Sequence, residues 1–181
     1  MAGKLKFQIV EPENPPRLIL IPIASGIAVP AAGMCDVKTL FRGGHINFRD
    51  GDLDIWLRPE VPAIGEGKAS SYKLGEAVNF TKTGAEHLGG AAGHDDLAKV
   101  FVERGKCFSL KQVDDVIVAY ELGENPLGLR TDGGANLFPV WDGASLFFLC
   151  ACRFSLGWDV YVCNFDGSRR WDAGFVVLFR N

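Results

Sequence analysis

Phe147-Phe148-Leu149-Cys150-Ala151-Cys152-Arg153-Phe154, then Ser155-Leu156-Gly157, then Trp158-Asp159-Val160-Tyr161-Val162-Cys163: this stretch decides the fold class. Aromatic and other apolar side chains dominate the first run and aromatic and β-branched ones the second, and the glycine-containing break between them is too short for anything but a tight turn, so two antiparallel strands are expected. With a three-residue loop ending on a left-handed Gly157, Phe154 pairs with Trp158, Cys152 with Val160 and Cys150 with Val162. A second turn at Asp166-Gly167 then brings Val162 opposite Trp171 and Trp158 opposite Phe175, completing a C-terminal three-stranded meander.

Neighbouring residues on a strand point to opposite sides of the sheet. One face of this ribbon is therefore apolar, carrying Phe148, Cys150, Cys152, Phe154, Trp158, Val160, Val162, Trp171, Phe175, Val177 and Phe179. The other face collects Arg153, Asp159, Tyr161 and Asp172 among Phe147, Leu149, Val176 and Leu178. Charges converging on an otherwise apolar sheet surface fit either an ion-pair network or a ligand pocket.

Working outward, glycine and proline divide the rest of the chain into short β-rich segments. Strands are expected near 4–11, 17–24, 35–42, 45–49, 53–58, 71–80, 107–112, 116–122, 145–154, 158–165 and 171–180. The fold class is mainly β, an antiparallel sandwich or barrel-like packing of sheets in a single domain, 1–181. The exception is one short helix near 95–104, where Leu97, Val100 and Phe101 are helically spaced, Asp95 stands as N-cap and Gly105 as the exit. Before it lies the glycine-rich stretch 89–93.

Asp50-Gly51 is a two-residue hairpin signal that would pair 45–49 with 53–58. Phe48, Ile46, Leu53 and Ile55 then share one face, and His45, Asn47, Arg49, Asp54 and Trp56 share the other. On that polar face Arg49 could anchor an anion and Trp56 form a stacking wall. The spacing Asp50, Asp52, Asp54 is that of a calcium loop, but Ile55 and Val61 occupy the positions that need glycine and a bidentate glutamate, so no metal is expected there.

Composition narrows the function classes. Nineteen basic against 22 acidic side chains leave a net charge of −3, without the basic footprint that nucleic acid or an anionic membrane surface requires. Neither partner is expected. No apolar run approaches the ~20 residues of a membrane span, and the N-terminal Met1-Ala2-Gly3-Lys4-Leu5-Lys6 lacks a signal-peptide core, which points to the cytoplasm. Five cysteines without CxxC spacing suggest reduced, mostly buried thiols.

The expected function is a non-enzymatic β-domain that binds a small polar or anionic ligand, self-associates as a homo-oligomer, or both. Its ligand residues would be Arg153, Asp159, Tyr161 and Asp172, or His45, Arg49 and Trp56, and no cofactor is implied. One alternative is a hydrolase-like enzyme using His87, His94, Asp95 and Asp96 around the glycine-rich loop. The other is a structural component of an assembly.

Overall fold

The computed structural model describes residues 20–75, 78–79, 102–164, 170–171 and 173–180. The chain is mainly β. In order come β1 (Leu20–Val29), β2 (Cys35–Asp36), a 3-10 turn (Val37–Thr39), β3 (Ile46–Arg49), α1 (Leu53–Trp56), β4 (Glu60–Val61), β5 (Gly67–Leu74) and β6 (Val78–Asn79). Then follow α2 (Leu110–Glu121), β7 (Ala135–Trp141), β8 (Leu146–Phe154), β9 (Gly157–Asn164), β10 (Arg170–Trp171) and β11 (Val176–Arg180).

Seven strands form one mixed sheet in the order β1-β5-β11-β7-β8-β9-β3, with β6/β10 and β2/β4 as separate two-stranded pairs. A three-stranded meander is present in the C-terminal third, but its members are β7, β8 and β9. The last strand leaves the ribbon and inserts between β5, antiparallel, and β7, parallel. Strand β7 lies where the sequence pattern places none, and it carries Pro139, a residue that a central strand rarely holds. It is tolerated because β11 pairs only with Asn136 and Leu137. Further along, that side of β7 is met by Phe108, whose amide donates to the Pro139 carbonyl at 2.8 Å, a contact that needs no proline N–H.

The β8–β9 register differs from the expected one by a single residue. A two-residue turn, Ser155-Leu156, pairs Phe154 with Gly157, Arg153 with Trp158, Ala151 with Val160 and Leu149 with Val162. Since the side-chain period is two, this slip exchanges faces. Trp158, Val160 and Val162 pack with Phe147, Leu149, Ala151, Val176 and Leu178 in one core cluster. Phe148, Val177 and Cys163 pack on the opposite side, with Cys150, Cys152, Phe175 and Phe179 against them. Gly157 sits at φ 143°, and a Cβ there would meet the His45 carbonyl oxygen at 2.6 Å, so only glycine lets β3 come this close.

Two expected strands, 107–112 and 116–122, are instead α2. Ser109 and Gln112 close a reciprocal capping box at its start, and Leu110, Val113 and Ile117 are buried along one face. The β-branched Val113, Val116, Ile117 and Val118 carry strand propensity, but tertiary burial of a helical stripe outweighs it. This helix covers the Trp158 face, with Tyr120 edge-on to the Trp158 ring at a centroid distance of 5.3 Å.

The Asp50-Gly51 hairpin does not form. The Asp50 carboxylate accepts from the Asp52 amide at 3.0 Å, and the chain enters the helical turn α1, burying Leu53 and Leu57 while Ile55 is 74 % exposed. Strand β3 pairs with β9 in parallel. Of the helix expected near 95–104, the described end, 102–103, is helical and the chain leaves through Gly105 at φ 62°. The remainder and the strand expected at 4–11 lie outside the described residues. Among the described residues no helix is long and apolar enough to cross a membrane.

Candidate functional site

The structure redistributes the expected site residues. Arg49 is the clearest case: its guanidinium makes a bidentate pair with Asp54 (2.7 and 3.0 Å) and donates to the carbonyls of Leu40 and Val37 (both 3.1 Å). With only 7 % of its side chain exposed, it ties β3 to the segment before it and to α1. The same hydrogen bonds from Arg49 hold the Asp54 carboxyl below its ordinary value. Trp56 is on α1, away from a strand face and 40 % exposed. His45 is half-buried, its Nε2 enclosed without a hydrogen-bond partner among the described residues.

The second expected cluster divides between the two sides of the sheet. Arg153 turns toward α2 and donates to Glu121 at 3.1 Å, and the same Glu121 Oε1 accepts from the Trp158 indole at 2.9 Å. Asp159 and Tyr161 face the other way, joined by a 3.2 Å bond from the phenol to the carboxylate. Asn47 donates to the other oxygen of Asp159 at 2.7 Å, and Phe48 packs on the Tyr161 ring at 5.1 Å. One residue of the first expected cluster thus meets two of the second: Asn47 bonds to Asp159, which also holds Tyr161. Burial, followed by the Asp159 charge, raises the Tyr161 phenol above its ordinary value. Asp172, His87, His94, Asp95 and Asp96 lie outside the described residues.

Sequence reasoning missed a cleft of about 210 Å³ between α2, the end of β1 and the loop 124–129. Ile27, Val29, Val116, Ala119, Pro126 and Leu127 make its apolar walls, and Gln112, Asp115, Glu124 and Asn125 supply the polar groups. The walls are held in place before any ligand arrives. Buried Gln112 donates to the Pro30 carbonyl at 2.7 Å, fastening α2 to the end of β1. Asn125 clamps the loop, its side chain accepting from the Leu129 amide at 2.7 Å and donating to the Leu129 carbonyl at 3.2 Å. Asp115 pairs with Lys111 one helical turn earlier, and Glu124 is exposed at the mouth. Among the described residues no basic side chain lines the cleft. The missed signal was Ser109-Leu110-Lys111-Gln112, a capping box that identifies the helix from which half of the cleft is built.

The chain matches no family model, no curated protein and no solved structure. A functional reading therefore rests on the residues themselves.

Proposed function

We propose that the chain is a non-enzymatic ligand-binding β-domain whose ligand is a small, mainly apolar molecule carrying a positive charge. The observation that carries this reading is the cleft at α2: preformed apolar walls, the exposed carboxylate of Glu124 and no basic side chain in the lining, Asp115 being already paired with Lys111. An anionic ligand fits less well, because Arg49 and Arg153, the side chains the sequence offered for it, are both engaged by carboxylates within the fold.

The experiment is a thermal-shift series with benzylamine and cyclohexylamine against benzoate and cyclohexanecarboxylate. An amine present at ten times its Kd stabilises by about 1.4 kcal/mol, a rise of roughly 3–6 °C for a domain of this size. Ala119→Phe, which fills the cleft from the helix side, abolishes the rise while leaving a cooperative unfolding transition. Equal response to amines and acids, or an amine response that survives Ala119→Phe, overturns the proposal.

A further inference from the structure

Four of the five cysteines pack on the side of the sheet opposite α2, and two of these stand apart from the rest. Cys107 and Cys163 are buried, whereas Cys150 and Cys152 are half-buried on β8. Two residues apart on an extended strand, they share one side of the sheet, and their sulfurs lie 3.9 Å from each other. At both positions β8 is paired with β7 on one edge and β9 on the other, so the backbone cannot bring the two cysteines closer. A disulfide needs about 2.05 Å between its sulfurs. The pair therefore stays a dithiol.

A separation too wide for a covalent bond is the right bite for a metal ion. With a metal–sulfur distance of about 2.3 Å, two thiolates on one ion stand about 3.8 Å apart at a tetrahedral angle and about 4.0 Å apart at a trigonal one. The observed 3.9 Å falls between the two. Among the described residues no group of three or more His, Cys, Asp or Glu side chains converges as a metal site, so the ion must be one that two thiolates satisfy. The polar groups opposite the pair, Tyr161 across from Cys150 and Asp159 across from Cys152, are bonded to each other, and Asn47 holds the other Asp159 oxygen. Structural zinc takes four protein ligands, and calcium and magnesium take oxygen. Monovalent copper is soft, prefers thiolate and accepts low coordination numbers.

We propose that Cys150 and Cys152 form a binding site for copper(I), the ion held between their two sulfurs, on the ground of their 3.9 Å separation on a strand fixed at both edges. On binding, each thiol gives up its proton and each sulfur donates an electron pair to the metal, so one Cu⁺ replaces two protons and no electron is transferred. The unit then carries a single negative charge, which Arg130 favours and Asp159 opposes at Cys152. Because the sheet positions both cysteines before the ion arrives, little ordering is lost. Both side chains are only half-buried, which leaves a third position where the thiol of a donor molecule attaches and departs. The ion loads and unloads by ligand exchange.

The test titrates the full chain, reduced and kept free of oxygen, with copper(I) against bicinchoninate as the colorimetric competitor. The expected result is one copper per chain and, in native mass spectrometry, a gain of one copper less two protons. With copper bound, iodoacetamide no longer alkylates Cys150 and Cys152 but still reaches Cys35. Cys150→Ser and Cys152→Ser each weaken binding at least about 100-fold, at or beyond the loss expected for a contact outside the ligand set, and Cys35→Ser leaves it unchanged. One copper shared by two chains, protection of Cys35 in place of the pair, undiminished affinity in either β8 variant, or displacement of copper(I) by an equal concentration of zinc(II) overturns the proposal. The alkylation map is made on the native chain and decides the matter even where a variant fails to fold.

Discussion

Replacing Gln112 by methionine tests how the α2 cleft is held together. The side chains are of similar length, so the substitution deletes hydrogen bonds rather than volume. Gln112 serves two structures at once: its Oε1 accepts from the Ser109 amide at 3.3 Å as half of the capping box, and its Nε2 donates across 82 positions of sequence to the Pro30 carbonyl at 2.7 Å. Loss of the first leaves the buried Ser109 amide without its acceptor, while the Ser109 Oγ cap on the residue-112 amide stays, and costs about 1 kcal/mol. Loss of the second bond, with its donor and acceptor at a site where Gln112 is 1 % exposed, costs about 1–2 kcal/mol more. Ser109→Ala removes only the cap, the Ser109 Oγ accepting from the Gln112 amide at 3.1 Å, and costs about 1 kcal/mol. Urea unfolding with a common m-value reads the difference directly. Gln112→Met should lower Tm by about 4–12 °C and Ser109→Ala by about 2–4 °C. Equal losses for the two would refute the reasoning, since the Pro30 bond would then contribute nothing and the cleft would lack the fastening ascribed to it.

Other outcomes follow from the same geometry. Trp158→Phe keeps the ring against Tyr120 but deletes the indole donor to Glu121, and chemical denaturation should show a loss of about 1–2 kcal/mol. Burial holds the Asp114 carboxyl above its ordinary value of 3.8, even though it accepts from the Phe41 amide. The folded state therefore binds this proton more tightly than the unfolded chain, and stability falls as pH rises from the ordinary value through the raised one. Asp114→Asn should accordingly gain over the native chain at neutral pH and lose that gain at about pH 3 when the two are compared by thermal melts. Leu156, 79 % exposed at the β8–β9 turn, should tolerate serine within about 0.5 kcal/mol; a larger loss, accompanied by a smaller species in sedimentation, would show that a second copy covers this end.

The parts of the fold legible in the sequence are those where local and global preferences coincide. Strands β3, β8 and β9 match their expected spans closely, and Trp158 is fully buried, as its place beside an outward Asp159 requires. The Asp50-Gly51 segment is ambiguous because the apolar spacing Leu53, Ile55, Leu57 satisfies a strand while Leu53 and Leu57 alone satisfy a helical turn. The structure takes the helical turn, burying Leu53 and Leu57, while β3 finds its sheet partner in β9, distant in sequence. Likewise α2 was hidden by β-branched residues, although its capping box stood in plain view. The candidate cleft was illegible for a different reason. Its walls come from β1, α2 and the loop 124–129, which no local pattern brings together.

The register of β8 against β9 decides the chemistry of the sheet surface. Both faces of β8 are apolar, so hydrophobic alternation cannot choose between the two registers, and the choice falls to the turn and to the neighbour beyond. Gly157 is the pivot: lacking a side chain, it admits the His45 carbonyl, to which the Trp158 amide donates at 2.8 Å, and so fixes β9 against β3. In the alternative register Arg153 would stand beside Asp159 and neutralise it, leaving an ion pair on an inert surface. In the register found, Arg153 is spent on Glu121 beneath α2, and the positions opposite Asp159 and Tyr161 are taken by Cys152 and Cys150. One residue of slip thus exchanges a salt bridge for two adjacent thiols beside a phenol and a carboxylate, and the polar groups and thiols of this face owe their company to a turn of two residues rather than three.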